Sequence, residues 1–162
     1  MKYLIAFTAA FLLFSCAPKN QSKYSKIEYS AGACYGFCPI FKVTINSDRT
    51  AIIEAESNTF TKSNTKGGSG DSREGTFKTV LKEADYNNLV MLINQLNVSS
   101  LKNKYGNQNV TDLPTSTLAI TMIGGNTKTI EDYGKRGTPE LRKVYDVMEA
   151  LPKTQNWIKI SN

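Results

Sequence analysis

Two cysteines separated by three residues are the first groups in this chain that could do chemistry. Cys34 and Cys38 enclose Tyr-Gly-Phe. An extended segment of that length would hold the two Cα atoms about 13 Å apart, against roughly 4.4–6.8 Å in a disulfide. A disulfide therefore requires a tight turn, which Gly36 within the loop and Pro39 after it favour. The closed loop is short, so its entropic stabilisation is only about 2 kcal/mol.

Thiol exchange and metal binding are the functional alternatives for this pair. Exchange enzymes of the thioredoxin type place two residues between their cysteines at the start of a helix, whereas three residues intervene here. A metal site would need further ligands, and the chain has no histidine and only one other cysteine, Cys16. We therefore predict a structural disulfide, with no bound metal and no cofactor. Free thiols in the mature protein would contradict that prediction.

Carboxylates are the remaining candidates for acid–base chemistry, because the chain has no histidine and so lacks the commonest general base near neutral pH. Asp112 and Asp132 are the best pair, since each is expected at the end of an element, where irregular backbone can shape a pocket. Tyr105, Tyr133 and Arg136 lie nearby in sequence and could orient an anionic or sugar-like ligand. The alternative interpretation is structural: Asp112 would bond backbone amides in a turn, and Asp132 would pair with Arg136.

The N-terminal residues have the three-part layout of a secretion signal. Lys2 is followed by an uncharged apolar run over residues 4–14. A membrane-spanning helix is the alternative, but it would need about 20 apolar residues. The run ends in Leu13-Phe14-Ser15-Cys16, which resembles the lipobox of bacterial lipoproteins. That resemblance implies removal of residues 1–15 and attachment of lipid to Cys16.

The leader divides the chain into a signal at residues 1–15, a polar tether at residues 16–25 and one domain at residues 26–160. Ala17 after Cys16 favours sorting to an outer membrane, and the lack of an acidic cluster after Cys16 favours its periplasmic face. An oxidising compartment suits the disulfide. The expected partners are the membrane, through the lipid, and an envelope protein or glycan. The net charge of +6 comes mostly from scattered lysines, which is not the pattern of a nucleic-acid-binding protein.

Alternating apolar and polar residues predict the strands that would position these side chains. One hairpin is expected over residues 41–56 and a third strand over residues 75–80. A second hairpin is expected over residues 116–131, turning at Gly124-Gly125-Asn126. A short strand is also expected over residues 27–29, before the cysteine pair.

Two helices are predicted by apolar residues that recur every three or four positions. The first begins near Glu83. The second is capped by Thr138, begins at Pro139 and ends at Pro152. The order of elements describes two loosely similar β-β-α units. We therefore predict an α+β domain with an antiparallel sheet of about five strands and both helices on one face.

Four segments together resemble a bacterial family known as domain of unknown function 6438. They are Cys34-Tyr35-Gly36-Phe37-Cys38-Pro39-Ile40-Phe41, Thr111-Asp112-Leu113-Pro114-Thr115, Asp132-Tyr133-Gly134 and Asn156-Trp157-Ile158. The resemblance covers residues 27–158. One departure is Arg49, which stands where the family's hairpin turn usually has glycine. The resemblance implies that the chain carries a domain of this family, and it implies no particular activity.

Two functions therefore stay open at the level of sequence. The first hypothesis is a non-catalytic envelope domain that binds a protein, a glycan or another small ligand, or that supports the cell-wall region. The alternative is a hydrolase or transferase that uses Asp112 and Asp132. An open pocket that holds both carboxylates within about 10 Å of each other would favour catalysis.

Overall fold

The computed structural model describes residues 22–60, 74–107 and 109–162. The predicted signal peptide, the lipid-bearing Cys16 and the tether as far as residue 21 lie outside the described residues. Within the described ranges, none of the helices combines the length and the apolar character needed to cross a membrane.

Eight strands form one sheet in the described part of the chain. They are β1 (Tyr24–Ala31), β2 (Phe41–Asn46), β3 (Thr50–Ala55), β4 (Gly75–Val80), β5 (Lys104–Tyr105), β6 (Thr115–Met122), β7 (Thr127–Tyr133) and β8 (Ile158–Ser161). Their order across the sheet is β5-β7-β6-β1-β2-β3-β4-β8. Every neighbouring pair is antiparallel except β5 with β7, so the sheet is mixed. The two helices are α1 (Glu83–Gln95) and α2 (Pro139–Thr154).

The α+β class is confirmed, but the predicted count of about five antiparallel strands is wrong. β5 has two residues in a polar stretch, and its parallel pairing with β7 is what makes it a strand. β8 is exposed along its whole length, so its sequence carries no pattern of burial. β1 begins at Tyr24, earlier than residues 27–29 suggested, because a register shift between Tyr24 and Lys26 interrupts the alternation.

β1 lies at the centre of the sheet, between β2 and β6, and so joins the two predicted β-β-α units. Its core-facing tyrosines contact both helices. The Tyr24 hydroxyl donates a hydrogen bond to Oδ1 of Asn94 in α1 at 2.8 Å, and the Tyr29 ring lies 5.6 Å from the Tyr145 ring in α2. One hydrophobic core includes residues of the strands and of both helices, among them Val43, Ile45, Ile53, Leu118, Ile120, Leu89, Ile93, Leu141 and Val144.

The start of α2 confirms the prediction, and its end corrects it. The Thr138 hydroxyl accepts a hydrogen bond from the Leu141 amide at 3.3 Å, and Pro139 is the first helical residue. The helix does not end at Pro152 but continues to Thr154. A proline in the last turn removes one intrahelical hydrogen bond, and the buried ring of Pro152 adds to the packing there.

The turn between β2 and β3 forces an unfavourable backbone conformation on Arg49. Its φ is 71°, in the left-handed region that costs a non-glycine residue about 1 kcal/mol. We expect Arg49→Gly to raise the free energy of unfolding by about 0.5–1 kcal/mol, measured by urea denaturation. The exposed ion pair that Arg49 makes with Glu83, at 3.7 Å, contributes little to oppose this gain. Arg49→Ala is the control, because it removes the same ion pair and keeps the strain; equal stabilities for the two variants would contradict the prediction.

Candidate functional site

The first three of the four family-like segments, at residues 34–41, 111–115 and 132–134, lie in or beside loops that meet at one end of the sheet. We call this end the loop end. Ala31, the last residue of β1, pairs with Phe41 at the start of β2 and with Ser116 in β6. Thr115, the first residue of β6, pairs with Tyr133, the last residue of β7. The described loop residues that extend from these positions are 32–40, 106–107 with 109–114, and 134–138.

Two backbone hydrogen bonds join these three loops. The Tyr35 amide donates to the Asp112 carbonyl oxygen at 3.2 Å, and the Gly134 amide donates to the Pro114 carbonyl oxygen at 2.8 Å. Gly134 has a φ of 71°, and a Cβ atom at this position would lie 2.6 Å from Cδ1 of Leu113. Glycine is therefore favoured where the second and third loops touch, because another residue would be strained at this φ and would displace the Leu113 side chain.

The predicted disulfide is present and closes what we call the cysteine loop, residues 34–38. The Cα atoms of Cys34 and Cys38 are 5.8 Å apart, within the range for a disulfide. Gly36 has a φ of 140°, which allows the tight turn that the spacing required. Two aromatic side chains remain accessible on this loop: Tyr35 is 88% exposed and Phe37 is 40% exposed.

Asp132 organises the third loop from inside the protein. Its side chain is 0% exposed. One carboxylate oxygen accepts a hydrogen bond from the Arg136 amide at 2.7 Å, and the other accepts one from the Gly137 amide at 2.9 Å. Arg136 thus meets Asp132 through its backbone rather than its guanidinium. A Cβ atom on Gly137 would lie 2.6 Å from the carboxylate, so this close approach needs glycine.

The two tyrosines of the predicted ligand cluster, Tyr105 and Tyr133, hold backbone segments as well. The Tyr133 hydroxyl donates to the Val110 carbonyl oxygen at 2.8 Å and accepts from the Leu113 amide at 3.2 Å, which clamps the second loop onto β7. The Tyr105 hydroxyl accepts a hydrogen bond from the Lys102 amide at 3.0 Å. Both tyrosines therefore hold backbone in place at or near the sheet edge.

Asp112 has different surroundings from Asp132. It is exposed, its φ is 70°, and its carboxylate accepts a hydrogen bond from the Thr111 hydroxyl at 3.1 Å. Its backbone carbonyl is the group that joins the cysteine loop to the second loop. The structure thus brings the two motif segments to the same end of the sheet, with one carboxylate in solvent and the other enclosed by amides.

A polar network behind the loop end, buried at Tyr29 and Ser116 and partly exposed at Glu149 and Lys135, has no counterpart in the sequence analysis. The Tyr29 hydroxyl donates to Oε1 of Glu149 at 2.6 Å and lies 3.0 Å from the Ser116 hydroxyl. Lys135, in the third loop, forms an ion pair with the same Glu149 oxygen. Burial, reinforced by the Glu149 carboxylate, raises the pKa of Tyr29 far above its ordinary value. Periodicity marks Tyr29 only as a core-facing residue of a strand and gives no sign of these partners.

Tyr145 is the second buried tyrosine of this region. Its ring packs against Tyr29, and its hydroxyl lies beside the Asp132 carboxylate without a hydrogen bond of good geometry among the described residues. Burial raises the pKa of Tyr145 well above its ordinary value, and the negative charge of Asp132 raises it further. In the described ranges, no group of three or more histidine, cysteine or acidic side chains is placed to hold a metal ion.

Comparison with known families assigns the domain. Residues 25–152 match the sequence profile of a domain of unknown function, DUF6438. The chain belongs to this family. The DUF6438 match contains all three loops of the loop end and stops before β8. No curated protein matches the sequence.

Proposed function

We propose that this DUF6438 domain is a non-catalytic binding module of the bacterial envelope, anchored by lipid on Cys16, and that the loop end binds an envelope protein or glycan. The observation that supports this most strongly is Tyr35, which is 88% exposed on a loop closed by a disulfide. The outer membrane, facing the periplasm, is the proposed location.

An exposed aromatic residue on a closed loop is well suited to binding. Tyr and Trp dominate binding hot spots because they bring a large contact area with few rotatable bonds. The Cys34–Cys38 bond and the hydrogen bond from the Tyr35 amide to Asp112 restrict the backbone before any partner arrives. Less conformational entropy is then lost on binding. Phe37 on the same loop extends the aromatic surface.

The direction of β1 also supports the loop end as the binding surface. The tether enters β1 at Tyr24, which pairs with Met122 at the far end of β6, whereas the loop end begins after Ala31. The eight residues of β1 span about 23 Å between these points. A lipid on Cys16 would therefore hold the opposite end of the sheet near the bilayer and leave the loop end facing away. We also propose that both helices cover the face that carries Tyr24 and Tyr29, which leaves the other face of the sheet polar and open.

The surroundings of Asp132 favour binding over the carboxylate-based hydrolase or transferase. That alternative needs Asp112 and Asp132 to face one open cleft. Asp132 is 0% exposed, and each of its oxygens already accepts a backbone hydrogen bond. A carboxylate in this position is suited to holding a loop.

The binding surface can be tested with Tyr35→Ser in the full lipidated chain. We compare the amounts of purified sacculi and of detergent-solubilised envelope proteins that the variant captures with the amounts that the unaltered protein captures. We expect the captured partner to bind at least about 30-fold more weakly, as for loss of a hot-spot residue. Tyr35→Trp should retain binding, and Met91→Ser, which changes a half-exposed residue on α1, is the matched control. Equal capture by Tyr35→Ser would contradict the proposed surface.

The anchor can be tested separately with Cys16→Ala. We expect this variant to leave the membrane fraction, because attachment depends on acyl chains whose transfer from water contributes about 0.8 kcal/mol for each buried methylene. Membrane association that persists unchanged in washed membranes would contradict lipidation at Cys16.

A further inference from the structure

We infer that the end of the sheet opposite the loop end has a lipid-contacting tip, Ile123 in the β6–β7 hairpin, which touches the surface of an anionic bilayer. This inference rests on the proposed lipid anchor at Cys16. It adds a defined contact between the folded domain and the membrane, beyond the tether itself.

The hairpin tip presents one apolar side chain with little around it. Ile123 is 61% exposed. The next two residues, Gly124 and Gly125, have φ values of 106° and 95°, and a Cβ atom on either would meet nothing within 4 Å. The backbone at the tip is therefore narrow, and Ile123 can reach a flat surface without obstruction.

The tip is attached to the point where the tether enters the domain. The Ile123 amide donates a hydrogen bond to the Lys23 carbonyl oxygen at 2.9 Å. Seven residue steps connect Cys16 to Lys23, so their Cα atoms are at most about 25 Å apart. A lipid on Cys16 would therefore hold Lys23 within about 25 Å of the headgroup layer, which allows Ile123 to reach it.

The surroundings of Ile123 suit an anionic lipid surface. Lys23 is exposed beside the tip, and a lysine close to anionic headgroups is attracted to them. Behind the tip, Val98 and Met122 line a shallow depression of about 190 Å³, which extends the apolar character inward. One isoleucine would bind a membrane weakly from solution, but a tethered domain has a high effective concentration at the surface. The tether thus makes a single-residue contact sufficient.

Labelling of a single thiol can test this contact. Cys34 and Cys38 are joined to each other and Cys16 would be lipidated, so Ile123→Cys adds the one reactive thiol. The lipidated variant is labelled with an environment-sensitive fluorophore and reconstituted into vesicles of phosphatidylethanolamine and phosphatidylglycerol. Ile158→Cys is the matched control, because Ile158 is 63% exposed and lies on β8, five strands away from β6.

We expect the label at position 123 to shift to shorter wavelength and to lose its accessibility to an aqueous quencher, while the label at position 158 stays accessible. Equal accessibility at both positions on vesicles that carry the protein would overturn the lipid-contacting tip and leave the anchor intact. Protein that does not float with the vesicles would overturn the anchor and, with it, this inference. A shift at position 123 that disappears in purely zwitterionic vesicles would support the role of Lys23.

Discussion

Replacing Asp132 with asparagine is expected to lower the free energy of unfolding by about 2–4 kcal/mol, since a buried charge-assisted network is broken. The carboxylate accepts from two backbone amides, Arg136 at 2.7 Å and Gly137 at 2.9 Å. An asparagine side chain offers one oxygen and one NH2 group, so one of these amides would face another donor. Urea denaturation monitored through Trp157 would measure the loss.

Asp112→Asn is the control for this experiment. Asp112 is exposed, and its carboxylate bonds only the neighbouring Thr111 hydroxyl among the described residues. We expect its substitution to change the free energy of unfolding by less than about 0.5 kcal/mol. Equal effects of the two substitutions would contradict the structural role that we assign to Asp132.

The second large effect is expected above pH 10, where the protein should lose stability as its unfolded state releases protons. Tyr29 and Tyr145 have pKa values raised in the folded state, chiefly by burial. Below pH 10 both states keep these protons, so the two tyrosines add no pH dependence. Above pH 10 the unfolded chain ionises first and binds fewer protons, so stability falls with pH until the folded pKa is reached. Each tyrosine contributes a slope of about 1.4 kcal/mol per pH unit.

Two phenylalanine variants separate the contributions to this slope. At neutral pH, Tyr145→Phe should change the free energy of unfolding by less than about 1 kcal/mol, because the buried Tyr145 hydroxyl lies beside Asp132 without a well-formed hydrogen bond. Tyr29→Phe should lower the free energy of unfolding by about 1–3 kcal/mol, because Glu149 and Ser116 each lose the Tyr29 hydroxyl as a hydrogen-bond partner. The free energy of unfolding is measured by urea denaturation at several pH values between 10 and 12. Each variant should remove one tyrosine's contribution to the slope of this free energy against pH. Unchanged slopes in both variants would contradict ionisation of the buried tyrosines as the cause.

Local sequence determined those features that depend on neighbouring residues. The Thr138 cap and Pro139 specified the start of α2 through contacts three residues apart. The three residues between Cys34 and Cys38 specified a tight closed loop, because the geometry of a disulfide admits no extended solution. Alternation over six residues specified β2 and β3, since each has one buried and one accessible face. In these cases the physical cause lies in residues that are close to one another in the sequence.

Only the tertiary structure determined what depends on distant partners. β5 and β8 exist as strands because β7 and β4 offer them hydrogen bonds, and neither carries a burial pattern of its own. Tyr29 and Glu149 are 120 residues apart in sequence and 2.6 Å apart in space. Likewise, a carboxylate near a strand end can face solvent or accept hydrogen bonds from the amides of a loop. Which of these occurs depends on the backbone that packs over the carboxylate. The spacing of Cys34 and Cys38 could therefore be interpreted correctly from the sequence, while the different surroundings of Asp112 and Asp132 depend on how distant segments pack around each of them.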